Sequence, residues 1–218
     1  AELASSWSAN LDGSATPGQA NSTLSPPTNA QGKCINALNK DFSKVAKTQG
    51  KLDYACAKNT AKDKLEGMTA DQCLAADPRG KLAGIQAKTE RDFTRSCSGQ
   101  DRDGNSVYPR FGASDAATAN AAAISAPIAL MGDAFGNSLH NALVSADSER
   151  DMSKCQLAVT KTLHKCLDTT LGIFNKCKKE GLKDGEMRRA RDLAECVGKD
   201  NRGKIAKACS ATTGKIAR

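Results

Sequence analysis

Nine cysteines, spread over two stretches that share one internal spacing, constrain this chain more than any other feature. Cys34 and Cys56 are 22 residues apart, and so are Cys155 and Cys177. At the implied offset of 121, Leu38 meets Val159, Phe42 meets Leu163, Lys44 meets Lys165 and Leu52 meets Ile173. After a two-residue insertion the run Cys73–Ala83 matches Cys196–Ala206, with Asp77-Pro78-Arg79-Gly80 opposite Asp200-Asn201-Arg202-Gly203. Thr89 then meets Thr212, Phe93 meets Ile216 and Arg95 meets Arg218. Spacing and residue type agree over about 60 positions, which is the mark of an internal duplication.

Each repeat reads as helices. Cys34, Leu38, Phe42, Val45, Leu52 and Cys56 recur mostly at steps of three and four, as do Val159, Leu163, Cys166, Thr170, Phe174 and Cys177. Ala, Lys and Leu fill the positions between, and these are strong helix formers. Gly67 and the pair Gly181 and Gly185 mark a break in each repeat. Thr69 with Gln72 three residues on has the form of a capping box opening the return. Asp-Pro-Arg-Gly and Asp-Asn-Arg-Gly read as type I turns that interrupt it.

Helix geometry decides between metal and disulfide. Cys155, Cys166 and Cys177 follow one another at intervals of 11. That interval turns a helix by about 1,100° and separates neighbours by roughly 16 Å, one stripe but too far for two to share a zinc ion. No Cys-x-x-Cys or Cys-x-x-Cys-His motif occurs. In an antiparallel hairpin, bonded positions are nested about the turn. Cys56 with Cys73 centres on 64.5 and Cys34 with Cys97 on 65.5; Cys177 with Cys196 centres on 186.5 and Cys166 with Cys209 on 187.5. All four centres lie beside the glycine-bearing breaks. Cys166 and Cys209 both lack counterparts in the first repeat, where Val45 and Gln86 stand, as a bonded pair gained together would. Cys155 is left as the unpaired thiol.

The run from Cys34 to Lys51, then Cys56, then Cys73-Leu-Ala-Ala-Asp-Pro-Arg-Gly-Lys81, resembles a group of cysteine-rich, Lys/Ala-rich predicted secreted bacterial proteins. The resemblance covers mainly 33–97 and 150–210. It implies export and disulfides at the bacterial cell surface, and no established activity comes with it. The Ala-rich segment 114–145 contains no cysteine and lies outside it.

Leu, Ile, Val and Phe number 34 of 218 residues. That is below the roughly 20% at which a chain comfortably builds a core, so the disulfides are expected to compensate. No apolar run approaches the roughly 20 residues that span a bilayer. The first residue is Ala and no basic-then-apolar leader precedes it, as in a processed, exported chain. The net charge of +8 is unevenly placed: −2 over residues 1–32, +5 over 33–97, −4 over 98–149 and +9 over 150–218. Acidic segments could therefore lie against basic ones, within or between molecules, or the basic blocks could be solvated helix faces.

The expected architecture is all-α. An extended N-terminal arm (1–33) precedes helical repeat 1 (34–97), a linker with an Ala-rich helical segment (98–149), and helical repeat 2 (150–218). Both repeats are read as disulfide-stapled antiparallel hairpins in tandem. The arm is rich in Ser, Thr, Pro and Asn. It can order only against a surface already built, its own domain or a neighbouring subunit, with Trp7 as the candidate assembly anchor. Asn21-Ser22-Thr23 matches a glycosylation sequon. Asp101, Asp103 and Asn105 alternate as calcium ligands do, but Gly104 is misplaced and no Glu follows 11 residues after Asp101, which favours a polar turn. In 114–145, Ser114 or Asp115 could cap a helix, Pro127 is expected to kink or split it, and Ile124, Ile128, Leu130, Met131, Phe135, Leu139 and Leu143 need a partner surface.

Three function classes follow. The first is a non-enzymatic exported structural subunit that assembles with copies of itself into an extracellular filament or surface layer. The second is a monomeric envelope or matrix module binding anionic polymers through its basic helices. The 4% aromatic content speaks against base-specific nucleic-acid reading. The third is an enzyme, for which the sequence offers no catalytic residue: no Ser-His-Asp, Cys-His, metal cluster or phosphate loop, and no cofactor site. His140 and His164 stand apart and suit surface or helix-packing roles.

Overall fold

A computed structural model describes residues 27–109, 114–185, 190–200 and 202–216. Trp7, the sequon and the arm up to residue 26 lie outside the described residues. Those described form eight helices: α1 (Asn29–Thr60), α2 (Ala70–Ala75), α3 (Lys81–Cys97), α4 (Ala116–Phe135), α5 (Leu139–Ala142), α6 (Arg150–Asp184), α7 (Ala190–Lys199) and α8 (Lys204–Ile216). No strand occurs among them; an isolated bridge joins Gln100 to Ser106.

The start of α1 has a local cause. Thr28 N–H donates to Gln31 Oε1 (3.0 Å) and Gln31 N–H donates to Thr28 Oγ1 (3.3 Å), a reciprocal capping box. Residues 29–33, expected in the extended arm, are thus helical, because two otherwise orphaned donors are satisfied at Thr28. From there Cys34, Ile35, Leu38, Phe42, Val45, Gln49, Asp53, Cys56 and Ala57 are buried, at helical spacing. Disulfides join Cys34 to Cys97, Cys56 to Cys73, Cys166 to Cys209 and Cys177 to Cys196, with Cα atoms 4.8, 5.7, 4.7 and 5.9 Å apart. Cys155 is free and exposed.

The chain divides into two compact units. Of the described residues, unit 1 gathers those up to Phe42, in Gln86–Ala122 and in Leu171–Asp200. Within it Cys34–Cys97 ties the end of α3 to the start of α1, and Cys177–Cys196 ties α6 to α7. Asn175 Nδ2 on α6 donates to the Asn39 carbonyl on α1 (3.2 Å), and Asn120 Nδ2 to the Gln86 carbonyl (3.3 Å). Phe93 and Tyr108 meet edge to face with ring centroids 6.0 Å apart. Asp115 caps α4, its carboxylate accepting from the Thr118 N–H at 2.7 Å. In the 101–105 loop one carboxylate oxygen of Asp101 accepts from the Asp103 and Asn105 N–H groups (3.0 and 2.9 Å), so this side chain shapes a polar turn.

Unit 2 gathers Ser43–Ile85, Ala123–Thr170 and the described residues after Asp200. Its core joins Cys56, Ala57, Ala70, Cys73 and Leu74 to Met131, Leu139 and Leu143, with Leu65, Ile128, Phe135 and Leu157 against them. Ile128, Met131, Phe135, Leu139 and Leu143 of the Ala-rich segment find their partner here, around the Cys56–Cys73 bond. Pro127 does not split α4, which runs unbroken from Ala116 to Phe135. The pyrrolidine ring is fully buried, and its packing offsets the missing hydrogen bond. Thr69 and Gln72 form the expected capping box of α2. The turn at Asp77 closes with Gly80 N–H on the Asp77 carbonyl (2.9 Å), and the Asp77 carboxylate also caps α3 through the Lys81 and Ala83 N–H groups. Asp71 receives the Leu139 and His140 N–H groups, both at 3.1 Å, and so fixes α5 on α2.

Native, unreduced protein should titrate with a thiol reagent as one thiol per chain, and mapping of disulfide-linked peptides should return the four bonds above. The Cys34–Cys97 bond closes a longer loop than Cys56–Cys73, 63 against 17 residues. Replacing the first pair by Ser should cost about 4 kcal/mol in urea unfolding against about 3 kcal/mol for the second, by loop entropy. Thr28→Ala should lower stability by about 1 kcal/mol and fray the first turn of α1, read by amide exchange.

Candidate polyanion interface

The buried stripe of α1 leaves an opposite face, and lysines occupy it. Lys33, Lys40 and Lys47 follow at steps of seven, then Lys51 four on and Lys58 seven on, all exposed. A step of seven is two turns less about 20°, so these ammoniums lie along one line. On α6 the exposed lysines are Lys154, Lys161, Lys165, Lys176, Lys179 and Lys183. Five positions coincide at the offset of 121: Lys33 with Lys154, Lys40 with Lys161, Lys44 with Lys165, Lys58 with Lys179 and Lys62 with Lys183. Lys178 is different in kind: it is buried, with Nζ 5.6 Å from the centroid of the Phe174 ring, and serves packing.

In unit 2 the two helices bring their lysines to one acid. Lys47 Nζ stands 3.7 Å from the Asp168 carboxylate, and Lys51 also acts on it. Lys165 precedes Asp168 by one turn. Burial holds the Asp168 carboxyl above its ordinary value, against the pull of Lys47 and Lys51. One carboxylate among three ammoniums leaves net positive charge, and Lys58, Lys154 and Lys161 add to it. In unit 1 the exposed lysines are Lys33 and Lys40 on α1 with Lys176, Lys179 and Lys183 on α6; Lys176 shares Glu180 at 3.7 Å, a solvated pair of small energetic weight. Ammonium groups on long stems offer point charges to anions.

The two histidines have separate surroundings. His140 is exposed. His164 lies against α1, where a Cβ on Gly50 would stand 2.8 Å from its Nδ1. Its Nε2 is 3.6 Å from Asp53 Oδ2. Sequence reasoning missed this contact. Its signal was Gln49 and Asp53, two polar residues four apart on the largely apolar stripe of α1. An open cavity in unit 2 of about 360 Å³ is bordered by Asp71, Leu74, Ile128, Gly132, Asp133 and Leu139. Asp71 is already engaged there by the N–H groups of α5. Among the described residues no group of three or more His, Cys, Asp or Glu could hold a metal ion.

No protein family matches the sequence, and neither a curated protein nor a solved structure is similar to it. The functional reading therefore rests on the residues alone.

Gly50→Ala should push the His164 ring off α1 and cost about 1–3 kcal/mol in thermal or urea unfolding, as overpacking does. Combining it with His164→Ala should give back part of that cost, a coupling that a double-mutant cycle reads directly.

Proposed function

We propose that this chain is a non-enzymatic, exported module that binds linear anionic polymers through the lysine faces of α1 and α6. The fold behind it is read as a duplication: two tandem, disulfide-stapled antiparallel helical hairpins, 34–97 and 150–218, joined by the segment 98–149. The single observation that carries the reading is the repetition in register of exposed lysines on the two long helices, Lys33, Lys40 and Lys58 of α1 with Lys154, Lys161 and Lys179 of α6. The charge balance supports an external partner. The basic stretches carry +5 and +9, the acidic ones −2 and −4, so pairing every internal acid still leaves +8. With 4% aromatics there is little surface on which bases stack, so recognition is of backbone charge rather than of sequence. The four disulfides suit an oxidising compartment. No helix among the described residues is long and apolar enough to cross a membrane.

The second reading is the self-assembling filament or surface-layer subunit. What favours it is the segregation of charge: the acidic arm and the acidic middle segment of one copy could lie on the basic faces of another. It would leave the +8 unneutralised, and few large apolar side chains are exposed among the described residues, chiefly Met68, Tyr108 and Met152. Native mass of the full chain separates the two. A monomer that remains a monomer after removal of residues 1–27, upstream of the Thr28 cap, supports the polymer-binding module. A large assembly that dissolves on that truncation supports the subunit, with Trp7 in the contact.

Binding to duplex DNA and to an acidic polysaccharide should weaken steeply with salt. Replacing Lys47, Lys51 and Lys165 together by Gln should reduce the slope of log K against log salt on duplex DNA by about 2–3, at nearly unchanged stability. An unchanged slope would remove the unit 2 face from the interface.

A further inference from the structure

The contact between α1 and α6 in unit 2 contains a buried cluster that the lysine faces do not use. Asp53 is 0% exposed and the His164 side chain 11%. Gln49, also fully buried, donates through Nε2 to Asp53 Oδ1 (2.7 Å) and to the Leu74 carbonyl on α2 (2.9 Å). Both amide protons are thereby spent, and Oδ1 is held as an acceptor. Asp53 Oδ2 and both His164 ring nitrogens lack a hydrogen-bond partner. Oδ2 faces Nε2 at 3.6 Å, too long for a hydrogen bond and too short to admit a water between them. Gly50 lets the ring come this close.

We propose that Asp53 and His164 are a one-proton pair, in which a single proton on Asp53 Oδ2, directed at His164 Nε2, is kept by the folded chain as a neutral acid–imidazole couple throughout mildly acid conditions. A neutral couple costs less to bury than an ion pair whose remaining polar atoms are unsatisfied. The charged groups on the elements packed here are engaged elsewhere or exposed. On α1, Lys47 and Lys51 are drawn to Asp168; on α6, Lys161 and Lys165 are exposed; on α2, Asp71 is held by the N–H groups of Leu139 and His140. Burial accordingly pushes the Asp53 carboxyl up to about 7, against the Gln49 hydrogen bond, and the His164 imidazole down to about 4.

The consequence is a cancellation. Asp53, raised from 3.8, on its own makes the fold most stable below pH 3.8 and progressively less so up to pH 7. His164, lowered from 6.5, on its own makes the fold most stable above pH 6.5 and progressively less so down to pH 4. Together they bind one proton folded and one unfolded over that window. Folding moves the proton from imidazole to carboxyl without uptake or release. This device is independent of what the lysine faces bind.

The test is the folding constant of the full chain against pH, taken relative to wild type. For His164→Gln it should fall as pH rises from 4 to 6.5, and for Asp53→Asn as pH falls from 7 to 4, each by up to about tenfold per pH unit. The double variant should run parallel to wild type. Slopes of the same sign, or two single variants parallel to wild type, overturn the proposal. Should either variant fail to fold, nitrogen NMR of the wild-type ring decides: His164 neutral at pH 5 is the expected result, and an imidazolium there overturns it.

Discussion

Covalent closure of helix ends is the constraint on which the rest of this structure depends. Among the described residues, alanine and cysteine supply more than half of the buried apolar side chains. Such small side chains remove little surface from water, and each buried methylene contributes only about 0.8 kcal/mol. A set of long helices with so thin a seam would not hold its register by packing alone. The bonds Cys34–Cys97 and Cys56–Cys73 attach near the two ends of α1, and Cys166–Cys209 and Cys177–Cys196 attach along α6. Restricting the unfolded chain in this way supplies what the core lacks.

With register fixed covalently, the long helices can spend their faces on other things. On α1 one stripe is buried around Cys34, Leu38, Phe42 and Val45 and includes Gln49 and Asp53, and the opposite one carries lysines. Charge is thus sorted by solvation. The lysines of the α1 face remain in water where ions can reach them, while burial disfavours the charged form of Asp53.

How much could be seen in the sequence follows from how local each cause is. Cysteine spacing carries the disulfide register because nesting about a turn is a matter of arithmetic. The Thr69–Gln72 box was legible because its signature lies within four residues. The identical signature at Thr28–Gln31 was passed over, since the Ser- and Pro-rich composition before it points to an arm. The continuity of α4 through Pro127 was not legible because the cost of a proline inside a helix is local, whereas its burial comes from distant segments. Asp71 on the α5 N–H groups and His164 against Gly50 join residues far apart in the chain, and nothing short-range announces them. The lysine register was present in the repeat alignment but gained meaning only once the buried stripe of α1 identified its opposite face.

The unequal loop lengths carry a consequence for how the oxidised chain is made. Short loops close faster and at lower entropic cost than long ones. Cys56–Cys73 and Cys177–Cys196, at separations of 17 and 19, therefore form ahead of Cys166–Cys209 and Cys34–Cys97, at 43 and 63. Each early bond draws a long helix toward the segment that follows it and shortens the search left to the later one.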